Sequence, residues 1–188
     1  IKSGGEGGGI YKSTDGGASW QKSLDWAYQQ QRGVWQVRVN PLNPSTVWAA
    51  TTEGTYKSLD AGQSWTRVHE VVMANDLVID PGDTNRVFVG CGNFGSPGHG
   101  IYRSEDGGQS WEQMAQASAI PDSWLGKTQL AVSPAAPGTV YASLSNGDVG
   151  TFWTRLIRTT DGGETWQVRS SQDYARWQGW FAHDVAVS

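Results

Sequence analysis

Ser104-Glu105-Asp106-Gly107-Gly108-Gln109-Ser110-Trp111 decides the fold of this chain, because its pattern is present four times. The pattern is a hydroxyl residue, any residue, Asp, any residue, Gly, any residue, a second hydroxyl residue and Trp. The other copies span residues 13–20, 58–65 and 159–166. The aspartates recur at intervals of 45, 46 and 55 residues. A repeated unit of this length indicates a repeat architecture built from supersecondary units.

Each copy of the pattern predicts a hairpin turn. A short alternating run precedes it, for example Gly100-Ile101-Tyr102-Arg103, and such alternation predicts a strand with one buried face. The Asp can cap backbone N–H groups, the Gly accepts a positive φ, and the Trp is expected to begin the return strand. Because the four contexts match, we predict one structural role for all the conserved-pattern positions: Asp15, Gly17, Trp20, Asp60, Gly62, Trp65, Asp106, Gly108, Trp111, Asp161, Gly163 and Trp166.

The octapeptide resembles the Asp-box, also called the bacterial neuraminidase repeat. A preceding Gly-x-Tyr-Lys/Arg-Ser in the first three copies makes the resemblance closer. It implies a β-propeller in which each box joins the third and fourth strands of a blade as a folding element. The family includes sialidases, two-propeller xyloglucanases, sortilin-type receptors and photosystem assembly factors. The resemblance therefore implies a fold and leaves the function open.

A second repeated strand completes the unit. Alternating apolar runs that end in proline occupy residues 34–41, 76–81 and 129–134, and each is followed by a turn and another apolar run. Four short strands per roughly 40–50 residues are typical of a propeller blade. We predict an all-β propeller of four-stranded antiparallel blades. The approximate repeats are 1–33, 34–75, 76–126 and 127–183, with 184–188 starting the next blade.

Two arrangements fit this order of strands. The last run could pair with the opening strands and close a four-bladed ring, or the chain could be part of a larger propeller. Most propellers of the resembled family have six or more blades, which favours the larger propeller. The chain opens at Ile1 without an initiator Met, which predicts a processed protein or a fragment.

Composition argues against several classes of protein. The 188 residues are 37% apolar and 17% charged, with a net charge of −4 and both signs interspersed. These values fit a folded domain, and they predict no nucleic-acid partner and no membrane span. Cys91 is the single cysteine, so an internal disulfide is excluded. The three histidines lack ligand spacing, so we predict no metal site and no cofactor.

Function is expected on the irregular loops. In a propeller the box turns and the proline turns share one face, and the variable loops occupy the opposite face, where binding residues concentrate. Aromatic rings beside carboxylates and amides suit a sugar ring or the side chains of a partner. Trp180 and Phe181 are expected to pack between blades instead. The candidate binding residues are Trp26, Tyr28, His99, Asp122, Trp124, Asp148, Tyr174, Arg176 and Trp177.

Three functions follow from these residues. Glycoside hydrolysis needs two carboxylates about 5–9 Å apart, and Asp25, Asp122, Asp148 and Asp173 all fall on the loop face. The Arg-Ile-Pro segment of sialidases and the N-terminal catalytic motif of xyloglucanases are absent. We therefore predict a non-catalytic binding propeller for a protein partner or a polysaccharide, located outside the cell, in the periplasm or on the cell surface. A glycoside hydrolase is the first alternative, and an accessory or assembly subunit of a membrane complex is the second.

Overall fold

The computed structural model describes residues 8–25, 33–93, 95–116, 118–122, 124–146, 152–176, 178–181 and 183–187. These residues form fourteen β-strands, and the described ranges contain no helix. The strands pair with their sequence neighbours in antiparallel sheets. The predicted all-β fold with four-stranded antiparallel sheets is confirmed.

The strands group into consecutive blades, each a meander in chain order. Blade 1 contributes β1 (Ile10–Lys12) and β2 (Gln21–Leu24). Blade 2 contains β3 (Val34–Val39), β4 (Val47–Thr51), β5 (Gly54–Ser58) and β6 (Thr66–His69). Blade 3 contains β7 (Ala74–Ile79), β8 (Val87–Cys91), β9 (Gly100–Ser104) and β10 (Glu112–Gln113). Blade 4 contains β11 (Thr128–Val132), β12 (Val140–Asn146), β13 (Trp153–Thr159) and β14 (Gln167–Ser170).

Local sequence sets the ends of these strands. β3, β7 and β11 each stop two residues before a proline, which has no N–H to donate to a ladder. In blade 3, Asp80 lies between the end of the strand and the proline. Its Oδ1 atom caps the turn by accepting the Gly82 N–H at 2.9 Å. The outer strands begin one residue after the box Trp rather than at it. The predicted start was one residue too early because the backbone of each box Trp still belongs to the turn that the Asp closes.

The core lies between blades. One cluster joins blades 2 and 3 and includes Trp48 and Leu77, and a second joins blades 3 and 4 and includes Phe88. Box tryptophans add edge-to-face contacts: the Trp111 ring lies 6.3 Å from that of Trp48, and the Trp166 ring lies 6.3 Å from that of Phe88. Each large buried side chain contributes roughly 1.5–3 kcal/mol. Contacts between blades therefore hold the fold together.

The inner strands β3, β7 and β11 surround a central cavity of about 470 Å³ at their proline ends. Residues 185–187 line the same cavity without pairing in a sheet. In the wall, buried Asp76 accepts the Leu130 N–H at 2.9 Å and lies 3.7 Å from Arg38 Nη2. Burial raises the pKa of this carboxyl group. One carboxylate thus links blades 2, 3 and 4 around the cavity.

Candidate functional site

Each box satisfies its own polar groups. In box 3, the Ser104 hydroxyl donates to Asp106 Oδ1 at 2.8 Å and accepts the Gly108 N–H at 2.7 Å. Asp106 Oδ1 also accepts the Ser110 N–H at 2.9 Å, and Oδ2 accepts the Ser110 hydroxyl at 2.5 Å. The other boxes contain the same four bonds.

These bonds stabilise the ionised carboxylates. The hydroxyl groups of Thr159 and Thr165, followed by the Thr165 N–H, lower the pKa of Asp161 to about 2. Equivalent hydroxyl and N–H bonds hold the pKa values of the other box aspartates far below their usual range. A carboxylate that is ionised and already bonded inside its turn has little capacity left for a substrate or a metal.

In blades 1, 2 and 3 the cation before the box reaches the next box, and we call this bond the cation latch. The donor is the last residue before the box hydroxyl, and the acceptor is the carbonyl of the residue that follows the next box Asp. The observed pairs are Lys12 Nζ with Ala61 O at 2.8 Å, Lys57 Nζ with Gly107 O at 2.6 Å, and Arg103 Nη1 with Gly162 O at 2.9 Å. The sequence shows the repeated cation, but the acceptor lies 49 to 59 residues away.

On the opposite face, three loops bring several predicted residues together. The His99 ring, in the loop before β9, meets the Trp124 ring with centroids 5.5 Å apart. Asn93, in the same loop as His99, donates from Nδ2 to the Trp180 carbonyl at 3.0 Å. The Trp180 and Phe181 rings lie 5.6 Å apart. The loops of blades 3 and 4 therefore form one surface.

We define the loop patch as His99, Leu125, Tyr174, Trp180 and Phe181. Leu125 is 39% exposed, Tyr174 47% and Phe181 51%. His99 and Trp180 are half-buried. Leu125 is fixed through its N–H, which donates to Asn146 Oδ1 at 3.0 Å. The patch thus combines exposed apolar side chains with a backbone that side-chain hydrogen bonds hold in place.

Two of the expectations for aromatic residues need correction. Trp124 is not an open contact residue, because it is only 3% exposed and belongs to the core cluster of blades 3 and 4. Phe181, expected to fill a gap between blades, presents half of its surface to solvent. Asp122 and Arg176 are exposed on the loop face. Four further predicted binding residues lie outside the described residues: Trp26, Tyr28, Asp148 and Trp177.

A buried polar cluster beneath the patch was missed by the sequence reasoning. The fully buried Ser143 hydroxyl on β12 lies 2.6 Å from Tyr174 Oη and 2.7 Å from His183 Nδ1. Burial, with the nearby Lys127, lowers the pKa of His183 to about 4, so the ring is neutral. Ser143 lacks the access that a nucleophile needs, so we assign this cluster to the orientation of Tyr174.

The described residues give little support for a metal site, a reactive thiol or a membrane-spanning helix. No three His, Cys, Asp or Glu side chains of these ranges converge on a point that could hold a metal ion. Cys91 is fully buried in β8, and burial raises the pKa of its thiol. No helix formed by these residues could cross a membrane.

Comparison with known proteins identifies the repeats. The family model described as BNR/Asp-box repeat matches residues 11–22 and 157–168. The chain contains BNR/Asp-box repeats. The two matched segments contain the first and fourth boxes, and the second and third boxes have the same bonds. No curated protein matches the chain significantly by sequence.

Solved structures show that this Asp-box chain has the fold of a β-propeller. A GH74 enzyme from Niastella koreensis superposes with a TM-score of 0.68 at 19% identity, over 88% of this chain and 27% of that one. The GH74 xyloglucanase from Xanthomonas campestris gives 0.64 at 18%, over 87% and 27%. YCF48 from Cyanidioschyzon merolae gives 0.52 at 14%, over 77% and 42%. The Asp-box chain therefore spans less than half the length of each, and the similarity concerns the fold alone.

Proposed function

We propose that this chain is a non-catalytic binding propeller whose loop patch engages an apolar segment of a protein partner. One observation carries the proposal: Leu125, Tyr174 and Phe181 are each 39–51% exposed on a single loop face. Grouped exposed apolar side chains on a rigid scaffold are typical of interaction surfaces.

The patch is organised before binding. Ser143 fixes the Tyr174 phenol, Asn93 holds the Trp180 backbone, and Asn146 holds that of Leu125. Groups that are already ordered lose less conformational entropy when a partner binds. This order supports a binding surface that is ready in the free chain.

The chemistry of the patch favours protein over polysaccharide. Tyr and Phe rings suit either a sugar ring or apolar side chains, whereas the exposed aliphatic Leu125 gives a sugar no flat face to stack on. A YCF48 structure with TM-score 0.51 and 16% identity, covering 75% of this chain and 42% of that chain, has a D1 peptide bound. That complex shows that a similar scaffold can bind a peptide. We propose, as the sequence analysis predicts, that the chain belongs to a secreted, periplasmic or surface-associated bacterial protein.

Two of the three candidate carboxylates that the structure describes support a role without catalysis, while the third, Asp122, is exposed. Asp25 lies 3.0 Å from Lys22 Nζ, and Asp173 Oδ1 accepts the Thr154 hydroxyl at 2.8 Å. A hydrolase would need an acid and a second carboxylate facing one bond. Both of these groups are instead engaged in local contacts.

Peptides selected from a random displayed library test the proposal. We expect the selected peptides to be rich in apolar residues and to bind at least about tenfold more weakly to Phe181→Ala, because a buried aromatic contact is lost. Leu59→Ala changes an apolar residue on a box turn that is even more exposed, at 70%, and this variant should bind as the unchanged chain does. Equal losses for both variants would refute the loop patch as the binding site. Hydrolysis of xyloglucan that stops in Asp122→Asn would refute the absence of catalysis.

A further inference from the structure

Asp122 lies beside the loop patch on a segment that is anchored on both sides. Ile120, two residues before it, is 4% exposed, and Trp124, two residues after it, is 3% exposed. Both side chains belong to the core cluster of blades 3 and 4, whereas Asp122 itself is exposed. Because Asp122 and Leu125 are three residues apart, their Cα atoms lie within about 11 Å of each other. The backbone therefore holds this carboxylate at the edge of the patch.

The other charged residues near the patch already have partners. Asp173 accepts a hydrogen bond at 2.8 Å from a hydroxyl group on β13. Lys127 is half-buried and interacts electrostatically with Asp184. Arg176 also has an interaction of its own. In contrast, no hydrogen bond or ion pair reaches the carboxylate of Asp122 from the described residues. Asp122 thus retains its full capacity to accept hydrogen bonds from a partner.

A partner that covers the loop patch also removes water from its edge. An ionised carboxylate that loses its hydration is costly unless hydrogen-bond donors or a positive charge replace the water. A wholly apolar segment supplies neither, whereas a Lys or Arg next to an apolar residue supplies both. The net charge of −4 adds a long-range attraction for a cationic partner. The edge of the patch therefore selects against segments that are only apolar.

We propose that Asp122 determines the charge of the partner. The loop patch takes a segment whose apolar residue contacts Leu125, and a neighbouring Lys or Arg of the same segment pairs with Asp122. This inference rests on the proposed function and adds a basic residue to the apolar segment. Arginine suits the position better than lysine, because its guanidinium donates two parallel hydrogen bonds to a carboxylate. Since the pair forms at the rim, it governs selectivity more than affinity.

Reversal of this charge tests the inference. Peptides are selected from a random displayed library against the unchanged chain and against Asp122→Lys. We expect the unchanged chain to select an apolar residue with a neighbouring Lys or Arg, and Asp122→Lys to select an apolar residue with a neighbouring Asp or Glu. Asp83→Lys is the matched control, because Asp83 is exposed in the proline turn of blade 3 and its reversal changes the net charge equally. This control should select the same basic peptides as the unchanged chain.

Affinities of one selected basic peptide complete the test, with circular dichroism showing that the variants are folded. Asp122→Asn should bind this peptide about two- to fivefold more weakly at low salt, and high salt should reduce the difference, because an exposed ion pair is weak and screened.

Three outcomes would contradict the inference in different ways. Peptides that need Phe181 but show no basic preference, or the same basic preference in Asp122→Lys, would overturn it while the proposed function stands. A preference lost equally in Asp83→Lys would assign it to net charge and also overturn the role of Asp122. Peptides insensitive to Phe181→Ala would refute the proposed function and this inference with it.

Discussion

Boxes 1 and 4 have the same sequence pattern and the same internal hydrogen bonds, yet their surroundings differ. Trp20 is 62% exposed and Ser13 is half-buried, whereas Trp166 is 3% exposed and Thr159 is buried. Box 4 lies against blade 3, with Trp166 beside Phe88. The comparison shows that the pattern encodes the turn, while the neighbouring blade decides how much the turn contributes to stability.

The largest difference should come from the tryptophans. We expect Trp166→Ala to lower the free energy of unfolding by about 3–5 kcal/mol, because it removes a large side chain from the core of blades 3 and 4. Trp20→Ala should cost less than about 1 kcal/mol, since most of its ring is already in water. Urea unfolding of both variants measures the two losses. Equal losses would contradict the role of the neighbouring blade.

The box glycines give a second matched pair. Gly163 and Gly17 both have positive φ, +97° and +94°, so alanine is strained at either position. A Cβ at Gly163 would lie 2.8 Å from Phe88 Cε1, whereas at Gly17 the nearest atom, in Trp20, is 3.8 Å away. We expect Gly163→Ala to cost about 2–4 kcal/mol and Gly17→Ala about 1–2 kcal/mol. Thermal unfolding of the two variants should show the smaller shift for Gly17→Ala.

Acid should weaken the contact beneath box 3. The His69 ring of blade 2 lies 4.7 Å from the Trp111 ring, and burial lowers the pKa of His69 to about 4. Because this pKa is below that of the unfolded chain, the contribution is fully present above about pH 6.5 and is lost as the pH falls towards 4. Its size is on the order of 1–3 kcal/mol. Urea unfolding between pH 7 and pH 4 should show that His69→Phe loses less of its free energy of unfolding on acidification than the unchanged chain does. The same pH dependence in both proteins would contradict this prediction.

The smallest difference should come from the box hydroxyls. Thr159→Val keeps the shape of the side chain but leaves the buried Gly163 N–H without its acceptor, which should cost about 1–2 kcal/mol. Ser13→Ala should cost less than about 0.5 kcal/mol, because water can reach the exposed turn of box 1. Chemical unfolding of both variants measures the two losses of stability. A larger loss for Ser13→Ala than for Thr159→Val would contradict the comparison of boxes 1 and 4.

The turns and most strands could be predicted because their causes are local. A box fixes a hairpin within eight residues, and a proline ends the inner strand within two, so the pattern places both. The start of the outer strands was wrong by one residue because the Trp backbone belongs to the turn. The latch acceptors were not predictable in this way, since they lie in the next blade.

The loop face was less predictable because burial depends on the paths of several loops. Trp124 and Phe181 are both aromatic loop residues, but only the structure distinguishes the buried ring from the exposed one. Ser143 contacts Tyr174 and His183 from 31 and 40 residues away. The binding roles of Trp26, Tyr28, Asp148 and Trp177 stay predictions.

The burial of the single cysteine has a practical consequence for kinetics. Cys91 lies in the centre of blade 3 with no exposed surface, and its thiol has a raised pKa. The thiolate is the reactive form, so a thiol reagent should modify this residue only after the blade has opened. The rate at which a thiol reagent modifies Cys91 under native conditions therefore measures how often blade 3 opens. No additional cysteine needs to be introduced for this measurement.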